Sequence, residues 1–179
     1  MFNFYENRIY IKNLIEFIKN ELGIKIPITI DKLEYLIAFL DGTIIAVSNS
    51  TLAPNGAKLV IHDFQNIKFD ILYLENKPLH YKLFSILQQI AYILLYLLNE
   101  NLTLLIEEEF NRLEISRANI EWSCNEFSIE FLLPKEEFVK YLSKYSVYTT
   151  DIISNISEKF NVAYTGILVR GSILGFFKI

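Results

Sequence analysis

Few side chains in this sequence belong to the types that most often carry out catalysis. There are two histidines, His62 and His80, and a single cysteine, Cys124. A lone cysteine can neither form an internal disulfide nor build a thiolate zinc site by itself. The glycine motifs of nucleotide-binding loops and the G-x-S-x-G nucleophile elbow are absent. We therefore expect the two histidines to be ordinary, partly exposed side chains, and no Ser-His-Asp or Cys-His arrangement is indicated.

A second group of polar side chains interrupts an apolar segment. Residues 84–96 read F-S-I-L-Q-Q-I-A-Y-I-L-L-Y, with Gln88, Gln89 and Tyr92 among aliphatic and aromatic residues. Gln88 and Tyr92 are four positions apart, so on a helix they share one face. The run has the cadence of an F-T-I-A-H-E-L-G-H-Y-L-L-H helix.

Two further segments follow downstream. Residues 121–134 read E-W-S-C-N-E-F-S-I-E-F-L-L-P and resemble E-x-E-A-N-x-F-A-x-x-L-L-M-P. Residues 160–170 read F-N-V-A-Y-T-G-I-L-V-R, lead to Leu174 and Gly175, and resemble F-x-V-S-x-x-A-L-x-x-R…L-G. In this order and spacing, the three segments resemble the ImmA/IrrE family of zinc metallopeptidases. Together with the N-terminal region, the resemblance covers most of the chain.

The resemblance implies where the chemistry of that family would lie. Gln88 and Tyr92 take the positions of the two zinc-binding histidines. Gln89 takes the position of the glutamate that acts as general base, and Ser123 that of the third ligand, also a glutamate. A glutamine amide is a poor zinc ligand and cannot accept a proton near pH 7, and a tyrosine binds metal only as phenolate, with an unperturbed pKa of about 10. With all four positions changed, the resemblance implies no metal, no cofactor and no catalytic residue.

Neighbouring side chains do not replace the lost ligands. Glu126 is one turn from Ser123, but a lone carboxylate would not suffice. His80 precedes Gln88 by two turns, about 12 Å along a straight helix. The packing residues of the family pattern are nevertheless kept: Phe84, Ser85, Ile86, Ala91, Asn125, Phe127, Leu132, Leu133 and Pro134. The pattern indicates that the scaffold is retained while catalysis is lost.

Composition limits the other classes of function. The 179 residues are 52% hydrophobic and include 17 basic and 21 acidic side chains, for a net charge of -4. A basic nucleic-acid surface is therefore not expected. The first residues lack the apolar core of a signal peptide, which favours a cytoplasmic location, and the richness in Asn, Ile, Lys and Tyr points to an AT-rich bacterial genome. The most apolar run, residues 86–98, is too short to span a membrane.

Hydrophobic periodicity predicts the helices that would position these residues. Gly23 is the expected stop of the first helix, Asn76 the N-cap of the long buried helix, and Thr150 the cap of a late one. Residues 102–116 are ambiguous and predicted to be partly helical. The predicted helices cover residues 5–22, 78–98, 117–132, 135–144, 151–160 and 164–173.

The strands are predicted from alternation and turn signals. Apolar residues alternate on both sides of Asp41-Gly42, which predicts a tight hairpin. Residues 24–30 are expected to be extended, and further strands are expected near residues 59–61 and 67–74. The predicted fold is α+β: a zincin-like single domain over residues 1–179, with an N-terminal helix, a small antiparallel sheet with a hairpin, a long buried helix and a C-terminal helical part at residues 134–179.

These observations favour a pseudoenzyme that regulates by binding protein. The peptidases of the resembled family act on helix-turn-helix repressors of mobile elements and stress responses, so the implied partner is a DNA-binding repressor. An exposed edge strand at residues 67–74 is the candidate docking strip.

Three alternatives remain open. The first is a hydrolase with relocated chemistry that uses Tyr92, Ser123 and a nearby carboxylate. The second is a purely structural or interaction subunit. The third is a helix-turn-helix-like unit in the last two helices that contacts DNA through Lys159, Arg170 and Lys178, although the mixed charge there favours packing against protein.

Overall fold

The computed structural model describes residues 4–63, 66, 68–97, 113–145 and 147–177. Within them, the predicted α+β class is confirmed by seven α-helices and one three-stranded sheet. A π-helical turn, Ile93–Leu97, continues the third helix. The elements in chain order are α1 (Phe4–Glu21), α2 (Ile30–Phe39), β1 (Gly42–Val47), β2 (Ala57–Asp63), β3 (Lys68–Leu74), α3 (Leu79–Tyr92), α4 (Leu113–Leu132), α5 (Lys135–Leu142), α6 (Thr150–Phe160) and α7 (Tyr164–Ile173).

The sheet is mixed, which corrects the prediction of an antiparallel sheet. Its strand order is β1-β3-β2, with β1 parallel and β2 antiparallel to β3. Ile71 of β3 has Ile44 on one side and Leu59 on the other. Because β2 and β3 form a hairpin, β1 pairs with the remaining side of β3. The predicted docking strip at residues 67–74 is therefore wrong, since Lys68–Leu74 is the central strand and has no open edge.

The predicted hairpin at Asp41-Gly42 is also wrong. The preceding residues form α2, whose buried side chains Leu33, Leu36 and Ile37 follow helical spacing. Asp41 adopts a left-handed conformation with φ 60°, and the turn links a helix to β1. Gly42 lies against the ring of Phe69, where an added Cβ would be 2.3 Å from the nearest ring atom. The glycine therefore serves a close packing contact.

The helix ends agree with the sequence in part. Gly23 follows α1 with φ +62°, as a C-terminal glycine stop requires. The predicted caps are wrong by one or two residues: Pro78 precedes α3, and the Thr149 hydroxyl accepts a hydrogen bond from the Ile152 backbone. Residues 24–30 are not part of the sheet. Most of residues 102–116 lie outside the described residues, apart from the start of α4.

Helix α3 lies in the middle of the structure and positions the predicted site. It packs against α4, the sheet and α2. Five of its apolar side chains are fully buried: Leu83, Ile86, Leu87, Ile90 and Ala91. The long buried helix predicted from the sequence is thus confirmed. None of the helices described here is long and apolar enough to cross a membrane.

Candidate functional site between α3 and α4

An amide pair joins the two helices at the centre of the predicted site. Gln88 on α3 is half-buried, and its Nε2 donates to Asn125 Oδ1 on α4 at 2.7 Å. Leu87 and Ile90 of the same helical turn are fully buried, so the glutamine is held at the boundary of the core. A hydrogen bond between two neutral amides satisfies one polar group from each helix without introducing a charge.

Gln89 faces a different neighbour. Its Oε1 accepts a hydrogen bond from the Leu59 backbone N–H at 3.2 Å. Leu59 belongs to β2, one of the two outer strands of the sheet. The side chain that takes the general-base position therefore connects α3 to an edge strand.

Tyr92 and Cys124 are both protonated at neutral pH. Burial raises the pKa of the half-buried Tyr92 phenol above its ordinary value of 10.0, and the nearby Cys124 adds to the effect. Cys124 is 6% exposed, and burial, assisted by the charge of Glu121, raises the pKa of its thiol to about 12. Neither side chain offers an anionic ligand or a nucleophile near pH 7.

The Ser123 hydroxyl is engaged by its own helix. Ser123 is 3% exposed, and its Oγ donates to the Asn119 carbonyl oxygen at 2.9 Å, one turn earlier on α4. Such back-bonding is the usual way in which a buried helical serine satisfies its donor. The hydroxyl proton therefore points to a backbone carbonyl oxygen and not to a basic side chain.

The four residues at the family's zinc-site positions do not all lie at the same contact. Gln88 and Tyr92 are one turn apart on α3 and lie near Asn125 and Cys124 of α4, the helix that also carries Ser123. Gln89 instead contacts β2. In the described part of the chain, no three His, Cys, Asp or Glu side chains gather in a way that could hold a metal ion.

The two histidines lie elsewhere. His80 is in the first turn of α3, and His62 on β2 contacts Asp70 on β3 at 2.7 Å. Thr43 on β1 donates to the same carboxylate from the other side. The hydrogen bonds from Thr43 and His62 lower the pKa of Asp70. Because the aspartate lies between the other two, this row does not form a hydrolase triad, in which histidine must be central.

The sequence did not indicate a buried ion-pair network that the structure contains. Glu126, expected near Ser123, instead pairs with Arg170 of α7 and Arg8 of α1, both at 3.3 Å. Arg170 is 4% exposed and also binds Glu130. The sequence signal for this network is the pair Glu126 and Glu130, which lie one turn apart and are each followed by a buried phenylalanine. Arg170 is therefore not free to contact DNA, as one alternative required, and Lys178 lies outside the described residues.

Comparison with known proteins gives the family. The model of the IrrE N-terminal-like domain of M78 peptidases matches residues 51–171. The chain belongs to this family. The matched range includes α3, α4 and most of α7, and the family predicted from the three sequence segments is confirmed.

One solved structure of a regulator shares the fold of this chain. A Mycobacterium tuberculosis transcriptional regulator matches with a TM-score of 0.60 and 18% sequence identity, over 94% of this chain and 46% of that one. The chain thus spans less than half the length of that regulator, and at this identity the likeness concerns the fold. No curated protein matches the sequence.

Proposed function

We propose that this IrrE N-terminal-like domain is a non-catalytic regulator that acts by binding another protein. The observation that carries the proposal is the hydrogen bond between Gln88 Nε2 and Asn125 Oδ1. It places a neutral amide pair where the family resemblance puts a zinc-binding histidine. The pair holds α3 and α4 together and leaves the peptidase scaffold without its first ligand.

The donor groups at the remaining positions do not fit a zinc ion. Zinc in proteins is bound by imidazole, thiolate or carboxylate groups. The raised pKa of Tyr92 disfavours the phenolate, and the Ser123 hydroxyl donates to a backbone carbonyl. Gln89 has no proton-accepting group for activating water, and its amide oxygen already accepts from Leu59.

Two other side chains of α4, Cys124 and Glu126, are also unsuited to replace the lost zinc ligands. Cys124, with a pKa of about 12, stays a thiol, whereas a zinc ligand must be a thiolate. Glu126 is held by Arg8 and Arg170. The same contacts argue against relocated hydrolysis, because the Ser123 hydroxyl donates to the Asn119 carbonyl oxygen and the raised pKa of Tyr92 keeps its phenol protonated.

The partner that we propose is a DNA-binding repressor of a mobile element or a stress response, encountered in the cytoplasm. The resembled peptidases act on repressors of this class, and the structural relative is itself named a transcriptional regulator. A scaffold that keeps its buried helices while losing the metal could hold such a partner without cutting it. This proposal assigns binding to the domain as a whole and no longer to β3.

Metal analysis tests the loss of the zinc site. Protein purified without added zinc is expected to contain substoichiometric zinc by elemental mass spectrometry. The matched variant Q88H/Q89E/Y92H/S123E restores the family ligands and is expected to gain a full equivalent. The single variant Q89E restores only the base and should stay metal-poor. A full equivalent of zinc in the unaltered protein would contradict the proposed loss of the zinc site.

A further inference from the structure

The two outer strands of the sheet differ in how they are protected against pairing with another strand. β2 carries the charged residues Lys58 and Asp63, and its register with β3 is irregular between Ile61 and Asp63. The Leu59 N–H of β2 also donates to the Gln89 side chain. Charged side chains and bulges are the usual means by which proteins block an edge strand. The free side of β2 is therefore poorly suited to a further strand.

β1 has none of these features. Its sequence, G-T-I-I-A-V, is uncharged and free of proline, and four of its six residues are β-branched. It pairs with β3 at six consecutive positions without an irregularity. Among the elements that the structure describes, none pairs with its other side. A regular, uncharged and β-branched edge of this kind readily accepts another strand.

Two residues of β1 direct their backbone polar groups away from β3. Val47 faces β3, because its carbonyl oxygen accepts from the Glu75 N–H at 3.1 Å. Successive residues of a strand alternate in direction, so Ile45 also bonds toward β3, whereas the N–H and C=O groups of Ile44 and Ala46 face outward. No backbone bond from another described element reaches these two residues. They offer a ladder of donors and acceptors to an incoming strand.

We propose that β1 pairs antiparallel with β1 of a second copy of this chain, so that two three-stranded sheets become one sheet of six strands. In the two-fold register that places Ile45 opposite its counterpart, Ile44 of each copy lies opposite Ala46 of the other. Each of these two pairs exchanges both backbone hydrogen bonds, and the Ile45 side chains meet at a non-hydrogen-bonded position. Ile45 is 41% exposed in the single chain, so its burial favours association.

The charges next to β1 favour this arrangement. Asp41 of each copy lies near the neutral Asn49 of the other in this register, so no like charges meet at the strand ends. Pairing of β1 with β2 of another copy would instead meet Lys58 and the irregular register of that strand. A second copy of β1 is thus the better match for the β1 edge.

Helix α2 adds apolar surface beside the same edge. It packs against β1, and its Tyr35 and Phe39 side chains are 57% and 66% exposed. A two-fold axis perpendicular to the joined sheet keeps both copies of α2 on one face of it, one on each side of the axis. The two helices can then shield these aromatic side chains from water. The dimer does not depend on the loss of the zinc site, because β1 carries none of its residues.

Sedimentation equilibrium of the 179-residue chain tests the pairing. At about 0.1 mM the protein is expected to sediment as a dimer, with twice the 21.0 kDa mass of the chain. Ile45→Lys places two ammonium groups opposite each other at the axis and should weaken association at least about tenfold. The matched control is Val169→Lys, the same change at an apolar position of α7 that is 53% exposed, and it should sediment like the unaltered protein.

Cysteine substitutions test the register. Ile45→Cys brings two thiols to facing positions, where a Cα separation of about 4.5 Å allows a disulfide to form under mild oxidation. Thr43→Cys is the control, because its counterpart is displaced by four residues, about 13 Å along the strands. Non-reducing denaturing electrophoresis should show a covalent dimer for Ile45→Cys and a monomer for Thr43→Cys. The native Cys124 is 6% exposed and does not compete.

Three results would overturn the assignment. The first is sedimentation as a monomer, which would leave the β1 edge to a strand from a different protein. The second is a dimer that Val169→Lys disrupts and Ile45→Lys leaves intact. The third is equal crosslinking of Ile45→Cys and Thr43→Cys, which would contradict the antiparallel register.

Discussion

Arg170 Nη1 lies 3.3 Å from Glu126 Oε1, although the two residues are 44 positions apart and both are buried. The contact joins α7 to α4 through charges that water does not screen. A buried ion pair adds little net stability compared with apolar packing. Removing one partner is nevertheless strongly destabilising, because the other charge stays buried without compensation. The consequences of removing Arg170 therefore depend on the two glutamates that stay behind.

We expect Arg170→Met to lower the free energy of unfolding by about 3 kcal/mol, because Glu126 and Glu130 lose a buried partner. Chemical denaturation measures the change. Adding Glu130→Gln to Arg170→Met should recover part of the loss, since the neutral amide removes one stranded charge. The control Lys140→Met affects an exposed pair and should change stability by less than about 0.5 kcal/mol. Equal losses for Arg170→Met and the control would contradict the role assigned to the network.

The Gln88–Asn125 hydrogen bond can be measured by a double-mutant cycle. Alanine at each position and at both is expected to give a coupling energy of about 1 kcal/mol in chemical denaturation. Gln89 supplies the matched control, because its amide bonds to the Leu59 backbone. The pair Gln89→Ala and Asn125→Ala should be additive within about 0.5 kcal/mol. Equal coupling energies from both cycles would contradict a specific interaction between Gln88 and Asn125.

Lys19 provides a pH-dependent test of the packing between α1 and α4. Its Nζ donates to the Phe131 carbonyl at 2.6 Å, and burial lowers its pKa from 10.5 to about 8. Below pH 8 the ammonium is charged in both states, so its burial opposes folding throughout that range. As the pH rises from 8 to 10.5, the folded state loses the proton before the unfolded state does. Protein stability should therefore rise across this window through Lys19.

The variant Lys19→Met isolates this contribution. Its stability relative to the unaltered protein should fall by about 3 kcal/mol between pH 7.5 and pH 10.5, as the penalty in the unaltered protein disappears. Denaturation at a series of pH values measures the difference. Lys25 is an exposed lysine near the same helix end, so Lys25→Met should show no such slope. A flat difference for Lys19→Met would mean that the ammonium remains effectively solvated.

The sequence predicted the helices better than the sheet, for physical reasons. Helical periodicity is local, so α7 was predicted at its observed bounds, Tyr164–Ile173. Alternation around Asp41-Gly42 is equally local, but the segment before it has apolar residues at both spacings. The structure buries Leu33, Leu36 and Ile37 at helical spacing and leaves Tyr35 and Phe39 exposed. Strand order depends on contacts between distant segments. No local pattern could show that β3 lies between β1 and β2.

The candidate site shows the same limit. The three segments were sufficient to predict the family and to direct attention to Gln88, Gln89, Tyr92 and Ser123. The partners of these residues could not be read from the sequence, because the bond to Leu59 depends on where β2 lies. The Arg170 network was missed for the same reason, since it joins residues from three helices that are far apart in sequence.

The final prediction concerns the protein partner. A tagged copy of the chain should retain a helix-turn-helix repressor encoded near its own gene, and the repressor should stay intact after incubation with added zinc. The variant Q88H/Q89E/Y92H/S123E is the matched control, because it keeps the scaffold and restores the ligands and the base that hydrolysis requires. If the chain binds the repressor through retained features of the fold, both proteins should capture it, and only the restored variant can cut it.

Fragments of the repressor with the unaltered chain would contradict the loss of catalysis. Capture of no DNA-binding regulator, together with none encoded nearby, would instead remove the regulatory partner while leaving the metal result unaffected. The two parts of the proposal can therefore fail separately, because zinc content reports on the α3–α4 donors and capture reports on the outer surface of the domain.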